Sequence, residues 1–346
     1  MPEVGVGITT YGSAGVKLTE ALLRSIHEKT EFDKDFTLLV LDDGTPDARA
    51  VDELARISWV YDAEFEHHKT NDGKPKNEGI PKSWNDCVKI LHDRFGCEDI
   101  ILLNNDLLVL HSEWLRNLVF FLDNNEKIAT VGLPLVQMDP TTGKISPYNP
   151  ESFGTVPGLC GAAVGCCFGL KYSVWKKIKN PDSSIGYFEA LRSFHEETLL
   201  SLRLAAEFGH LSYMLPWPPI AHAGGLTFQL NPVLTEMKWP SAEEVGLPIN
   251  REEYIEVVRK SKVYPEAWKK DRIIWKNKQG EEVVDRMAFS RYLFCLFWKA
   301  TGKHPDMLDH YDDPHRPIHD TYVEPFRGTR RVKFIGKDGK EREAVV

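Results

Sequence analysis

The chain lacks most of the features that would set it apart from an ordinary globular protein. No apolar run approaches the roughly 20 residues that a membrane-spanning helix needs. The N-terminal Met1-Pro2-Glu3-Val4 has neither the basic stretch nor the apolar core of a secretory signal. Cysteine is sparse: Cys87, Cys97, Cys160, Cys166, Cys167 and Cys295 are the only six in 346 residues, and no two are spaced C-x-x-C. They read as free, mostly buried thiols in a reducing cytoplasm. Positive charge is also short. Lys and Arg number 43 against 51 Asp and Glu, a net of −8, which gives no global attraction to nucleic acid. The deficit is uneven, because from residue 231 onward Lys and Arg outnumber Asp and Glu by 22 to 20. There is no internal repeat and no low-complexity tract. What remains is 42% hydrophobic and 27% charged, a soluble chain long enough for one large domain or two.

The most informative stretch is Ile100-Ile101-Leu102-Leu103-Asn104-Asn105-Asp106. Four aliphatic residues in a row suit a strand buried on both faces, as in a parallel sheet. The polar triplet then falls at the carboxyl end of that strand, where open α/β sheets bind ligands. A carboxylate there is a hard oxygen ligand, able to hold a divalent cation against a phosphate. A capped turn would use the same residues.

Upstream, Val4–Thr9 reads as a strand, 18–26 as a helix, Phe36–Leu41 as a strand and 49–57 as a helix. That β-α-β-α order predicts a parallel sheet with right-handed crossovers. Residues 62–82 are polar and predict a loop, locally basic at His67, His68, Lys69, Lys74, Lys76 and Lys82, which would face a phosphate or simply solvent. A helix over 83–95 precedes the central strand. A helix at 113–122, a strand at 128–132, turns over 137–158, a small-residue strand at 159–170, a helix at 195–208, a strand at 211–215 and a loop holding His222 follow. Beyond about residue 231 the order is lost. Helices at 251–261 and 286–300 and a hairpin at 330–345 are expected there. The His304, His310, His315 and His319 stretch has no zinc spacing and reads as a solvated loop.

Thr9 and Tyr11 end the first strand and Asp43 ends the second, so all three are expected in one crevice. A ring to stack on a base and a carboxylate to accept its N–H make a nucleotide pocket. In order and spacing, Thr9-x-Tyr11, Val40-Leu41-Asp42-Asp43-Gly44-Thr45, Asn77-x-Gly79 with Trp84-Asn85, and Leu102 through Asp106 resemble the nucleotide-sugar half of family 2 glycosyltransferases with the GT-A fold. The rhamnosyltransferase-like branch is nearest. The resemblance continues through Glu196-Glu197 and ends near His222, covering about 220 residues.

The resemblance implies a mixed, mainly parallel sheet flanked by helices in residues 1–230. Residues 231–346 would be a mainly helical extension making acceptor or oligomer contacts. Thr9, Tyr11 and Asp43 would hold the nucleoside, with Asn77 and Asn85 walling the diphosphate and sugar. Asn104 and Asp106 stand where the family has D-x-D, so Asp106 would bind Mn²⁺ or Mg²⁺ while Asn104, with Asn105 beside it, binds donor sugar or ribose. His222 would be a second metal ligand. Glu196 and Glu197 match an acidic pair whose second member is the general base, with Glu197 favoured. The activity implied is inverting, metal-dependent transfer from a UDP- or dTDP-sugar to a glycan or lipid-linked acceptor. Two alternatives stand beside it: transfer to hydroxymethylated bases of phage DNA, and nucleotide-sugar binding without catalysis.

Overall fold

The computed structural model describes residues 4–33, 35–139, 141–149, 158–160, 165–192, 196–224, 236–260, 273–301 and 328–346. Its first half alternates strand and helix as expected: β1 (Val4–Thr10), α1 (Ser13–Lys29), β2 (Phe36–Asp42), α2 (Ala48–Val60), β3 (Ala63–His67), α3 (Ile80–Phe95) and β4 (Asp99–Asn104). Then come β5 (Leu107–Val109), α4 (Trp114–Asn124), β6 (Ile128–Gly132), β7 (Leu135–Gln137), β8 (Gly158–Cys160), β9 (Cys167–Lys171) and the short α5 (Tyr172–Trp175). A single 3₁₀ turn (Glu189–Leu191) leads to α6 (Glu196–Phe208), β10 (Leu211–Met214) and β11 (Ile220–His222).

Eight strands form one sheet in the order β3-β2-β1-β4-β9-β6-β10-β8. Four of its seven pairings are parallel, so the expected mixed, mainly parallel sheet flanked by helices is present. The aliphatic run of β4 is fully buried at Ile100, Ile101, Leu102 and Leu103, as its composition requires. One apolar cluster packs α1, α2 and α4 against one face, and another packs α3 and α6 against the other.

Three local expectations are corrected. Residues 63–67 are not loop but β3, parallel to β2 at the sheet edge. An edge strand with one large apolar residue, Phe65, carries little periodicity to read. The stretch 159–170 holds two strands rather than one: β8 pairs with β10 and β9 lies between β4 and β6. His222 lies not in a loop but on β11, which forms a small second sheet between β5 and β7.

After residue 235 come β12 (Glu236–Met237), α7 (Ala242–Val245), α8 (Arg251–Lys260), β13 (Trp275–Lys276), β14 (Glu282–Asp285), α9 (Arg286–Thr301), β15 (Arg331–Ile335) and β16 (Glu341–Val345). The extension is therefore mixed, with a three-stranded sheet and a hairpin beside its helices. It also packs in two places. Phe289, Tyr292 and Leu293 of α9 join Phe188, Leu191, Leu199 and Leu202 in one core. Val332 of β15 is buried in the core under the large sheet, beside the helix α4. The His304–His319 stretch lies outside the described residues.

Candidate functional site

The carboxyl ends of β1, β2 and β4 are level. Thr9 pairs in register with Leu41 on one side and Asn104 on the other, and Thr10 with Asp42. Thr9, Tyr11, Asp43 and Asn104 are thus delivered to one edge, as expected. The side-chain amide of Asn104 has no partner among the described residues, and its backbone N–H donates to Cys166 O at 2.9 Å. Tyr11 lies beside Asp42 and Asp43. Its hydroxyl is pushed up by burial and then by those two carboxylates.

Asp106 is buried just past the end of β4. Strand β11 carries His222 back across β5, in register with Leu107, so His222 Nε2 stands 3.4 Å from Asp106 Oδ1. The imidazole atom is buried and not aligned as a hydrogen bond to that oxygen. Two donors of one cation at about 2.2 Å stand roughly 3 Å apart, so this pair suits a shared divalent ion. Among the described residues no third His, Cys, Asp or Glu completes a cluster. One carboxylate with one imidazole fits an ion that takes its remaining ligands from water and substrate phosphate.

Glu196 and Glu197 open α6. Two acids suit a helix N-terminus, yet both carboxyls are pushed up by burial, and Glu196 further by Glu197. Glu196 Oε2 is buried without a hydrogen-bond partner among the described residues, and burial with the neighbouring Glu197 disfavours charge on Glu196. Glu197 packs against Gly165, where an added Cβ would lie 2.8 Å from its Cδ. The thiol of Cys166, next in the chain, is pushed up by burial and also by Asp106 and Glu197. The carboxylates of Asp106 and Glu197 therefore flank one strand end.

Other expected ligands turn inward. The carboxylate of Asp43 accepts from His68 Nδ1 (3.0 Å), Glu78 N (2.8 Å), Asn77 Nδ2 (2.8 Å) and Gly79 N (2.9 Å). A carboxylate has about four acceptor positions, so Asp43 holds the 77–79 loop, and a base N–H would have to displace a donor. Asn77 belongs to the same clamp. Asn85 is fully enclosed: it accepts from Trp175 Nε1 and Tyr187 N while donating to Tyr187 O and Glu189 Oε1. Asn105 is also buried. It donates to Thr10 Oγ1 at 2.9 Å and to Gly15 O at 3.4 Å, tying the end of β4 to β1 and to the start of α1. The basic 67–82 loop is paired rather than facing a ligand. His67 donates to Asp42, His68 spans Asp43 and Asp86, and Lys74, Lys76 and Lys82 meet Asp72, Glu78 and Asp86.

Two arginines escaped the sequence. Arg286, the first residue of α9, lies close enough to Tyr11 and Asp43 to act on their charge, and its Nε is buried without a partner among the described residues. Burial and the nearby Arg192 lower its pKa. Arg192 donates to Glu78 O at 3.0 Å. No local pattern marks either one: Arg286 reaches this edge through the packing of α9, and Arg192 through the 3₁₀ turn that it follows.

No family model matches the chain, and no curated protein does. Solved structures are similar to it at low identity. They include S. aureus TarS 1–349, at 16% identity and a TM-score of 0.44 over 77% of this chain and 68% of that one. The mannosyltransferase PcManGT from Pyrobaculum calidifontis, in complex with GDP-Man and Mn²⁺, shares 14% identity and a TM-score of 0.48 over 85% and 70%. Glucosyl-3-phosphoglycerate synthase from Mycobacterium tuberculosis, with Mn²⁺, UDP and glucosyl-3-phosphoglycerate, shares 12% and 0.45 over 67% and 76%. None of these three is a rhamnosyltransferase. Each TM-score is below 0.5, and what the site does is drawn from its own residues.

Proposed function

We propose that this chain transfers a sugar from a nucleoside-diphosphate sugar to an acceptor hydroxyl, with inversion at the anomeric carbon. The observation behind this reading is the placement of Asp106 with His222 at 3.4 Å, and of Glu197 on the same strand end beyond Cys166. Thr9, Tyr11 and the free amide of Asn104 face the donor nucleoside and sugar. Mn²⁺ or Mg²⁺, held by Asp106 and His222, would neutralise the charge that develops on the diphosphate. Glu197 takes the proton of the acceptor hydroxyl as its oxygen attacks the anomeric carbon. The bond from that carbon to the diphosphate oxygen breaks, its electron pair leaves with the nucleoside diphosphate, and one displacement inverts the centre. Asp43, Asn77 and His68 set the shape of the nucleotide wall without spending a hydrogen bond on the ligand.

The test is a thermal-shift series with UDP, dTDP, GDP and their sugars, with and without Mn²⁺. A ligand at about 100 times its dissociation constant adds roughly 2.7 kcal/mol of stability. A metal-dependent shift with one nucleotide, followed by turnover of its sugar, is expected. Binding without turnover on any acceptor or on water leaves only a nucleotide-sugar-binding protein, and no shift at all removes the donor site. For the acceptor, a glycan is the general expectation, and a nucleic acid is the second reading, favoured by the cleft described next.

A further inference from the structure

The C-terminal hairpin builds a cleft of about 350 Å³ with the Pro216–Trp217 turn, lined by Tyr148, Trp217, Phe334, Gly336, Lys337 and Arg342 together with Pro216. That volume is at the lower end of the roughly 300–1,000 Å³ typical of small-molecule sites. Its walls are set before any ligand arrives. The Trp217 ring is backed by the His111 ring at 4.3 Å, its carbonyl accepts from Asn117 Nδ2, and Tyr148 OH donates to Pro216 O. Lys337 Nζ sits 4.9 Å over the Trp217 ring and forms no ion pair among the described residues. Arg342 pairs with Asp338 at 3.2 Å, both side chains exposed. The lining itself has two cations, three aromatic rings and no carboxylate or side-chain amide. Sugar hydroxyls are recognised by such amides and acids, which are missing here. Rings flanked by cations suit a flat base joined to a phosphate. The positive lining is local, since the whole chain carries −8.

A short stretch of chain also ties the cleft to His222. Trp217 and His222 are five residues apart, so no more than about 18 Å of chain separates them. We propose that this cleft is a subsite for one nucleotide unit of a single-stranded nucleic acid that carries the acceptor hydroxyl, the base stacking on Trp217 and Tyr148 and its phosphate meeting Lys337 and Arg342. Its role as an acceptor subsite rests on the glycosyl-transfer reading; the binding itself does not.

The experiment is fluorescence anisotropy of a labelled deoxythymidine strand of about a dozen nucleotides with the full chain. Binding at low salt that weakens steeply as salt rises is expected. Trp217→Ala and, separately, the exposed Lys337→Glu should each weaken it by at least about tenfold, with the UDP thermal shift unchanged. Lys337→Glu decides the matter if Trp217→Ala does not fold. No binding at low salt, or undiminished binding in the folded variants, overturns the proposal. So does an equally charged inorganic polyphosphate that binds as tightly as the strand, or a neutral oligosaccharide that displaces the strand. A nucleotide shift without strand binding sinks this inference alone. Strand binding without any nucleotide shift sinks the transfer reading and leaves the cleft standing.

Discussion

At the scale of single residues, His68 is the hinge of the nucleotide wall. Burial alone would lower its pKa, but hydrogen bonds to Asp43 and Asp86 outweigh that and push it up to about 9. It is an imidazolium at neutral pH, with both nitrogens donating at 3.0 Å. A folded pKa above the unfolded value of about 6.5 means that His68 stabilises fully below pH ~6.5. That contribution fades as pH rises through about 9. Replacing His68 with Gln should flatten the decline in urea midpoint across that window; an unchanged decline would contradict the network. The two glutamates predict opposite outcomes for one chemical change. Burial and Glu197 push the Glu196 carboxyl up, so Glu196→Gln, nearly isosteric with the protonated acid, should leave transfer within a few-fold. Glu197→Gln removes the base and should cost about 10²- to 10⁴-fold in kcat with nucleotide affinity kept. A large loss in Glu196→Gln with little in Glu197→Gln would mean that the roles of the two carboxyls are reversed.

At the scale of elements, the site is braced by side chains that touch no ligand. Asn85 binds α3 to the Tyr187–Glu189 segment and to Trp175 of α5 through four hydrogen bonds, three of them to partners buried with it. Its loss leaves the Trp175 N–H and two backbone groups unpaired inside the protein. Asn85→Ala should therefore destabilise by about 3 kcal/mol in urea unfolding while the folded fraction binds nucleotide normally. A selective loss of nucleotide affinity without loss of stability would restore Asn85 to the donor wall. Gly79 explains why this loop needs glycine. Its φ is +91°, and an added Cβ would lie 2.4 Å from the Arg192 carbonyl, so close approach and backbone conformation act together.

At the scale of the whole molecule, the segment after residue 235 packs in two places on the body formed by the first 224 residues. Helix α9 delivers Arg286 to the nucleotide edge, and the hairpin β15–β16 completes the cleft beside Trp217. The hairpin is anchored by the buried Val332 and Ile335 and by Asn125, which exchanges two hydrogen bonds with the Lys333 backbone. Ile335→Ala should cost about 2 kcal/mol or more, and strand binding should fall with it even though residue 335 is remote from Glu197 in sequence. A destabilised variant with full strand affinity would detach the hairpin from acceptor binding.

Much of the frame was legible because it is locally written. The β4 run, the helical spacing of α3 and α4 and the Gly209 stop after α6 are burial patterns that a window of ten residues contains. The carboxyl edge follows from them, and with it the positions of Thr9, Tyr11, Asn104 and Asp106. Which side chains face a ligand was not legible. Asp43 and Asp106 both follow strands, yet the first is filled by the 77–79 loop and His68, and the second is met by a histidine from a strand 116 residues downstream. Edge strand β3 and the short β11 lack the apolar repeat that periodicity reads. The amino-acid order by itself determined the sheet, its active edge and the acids on it. Only the tertiary structure decided how each of those acids is engaged, because hydrogen-bond capacity is spent between residues that are distant along the chain and about 3 Å apart in space.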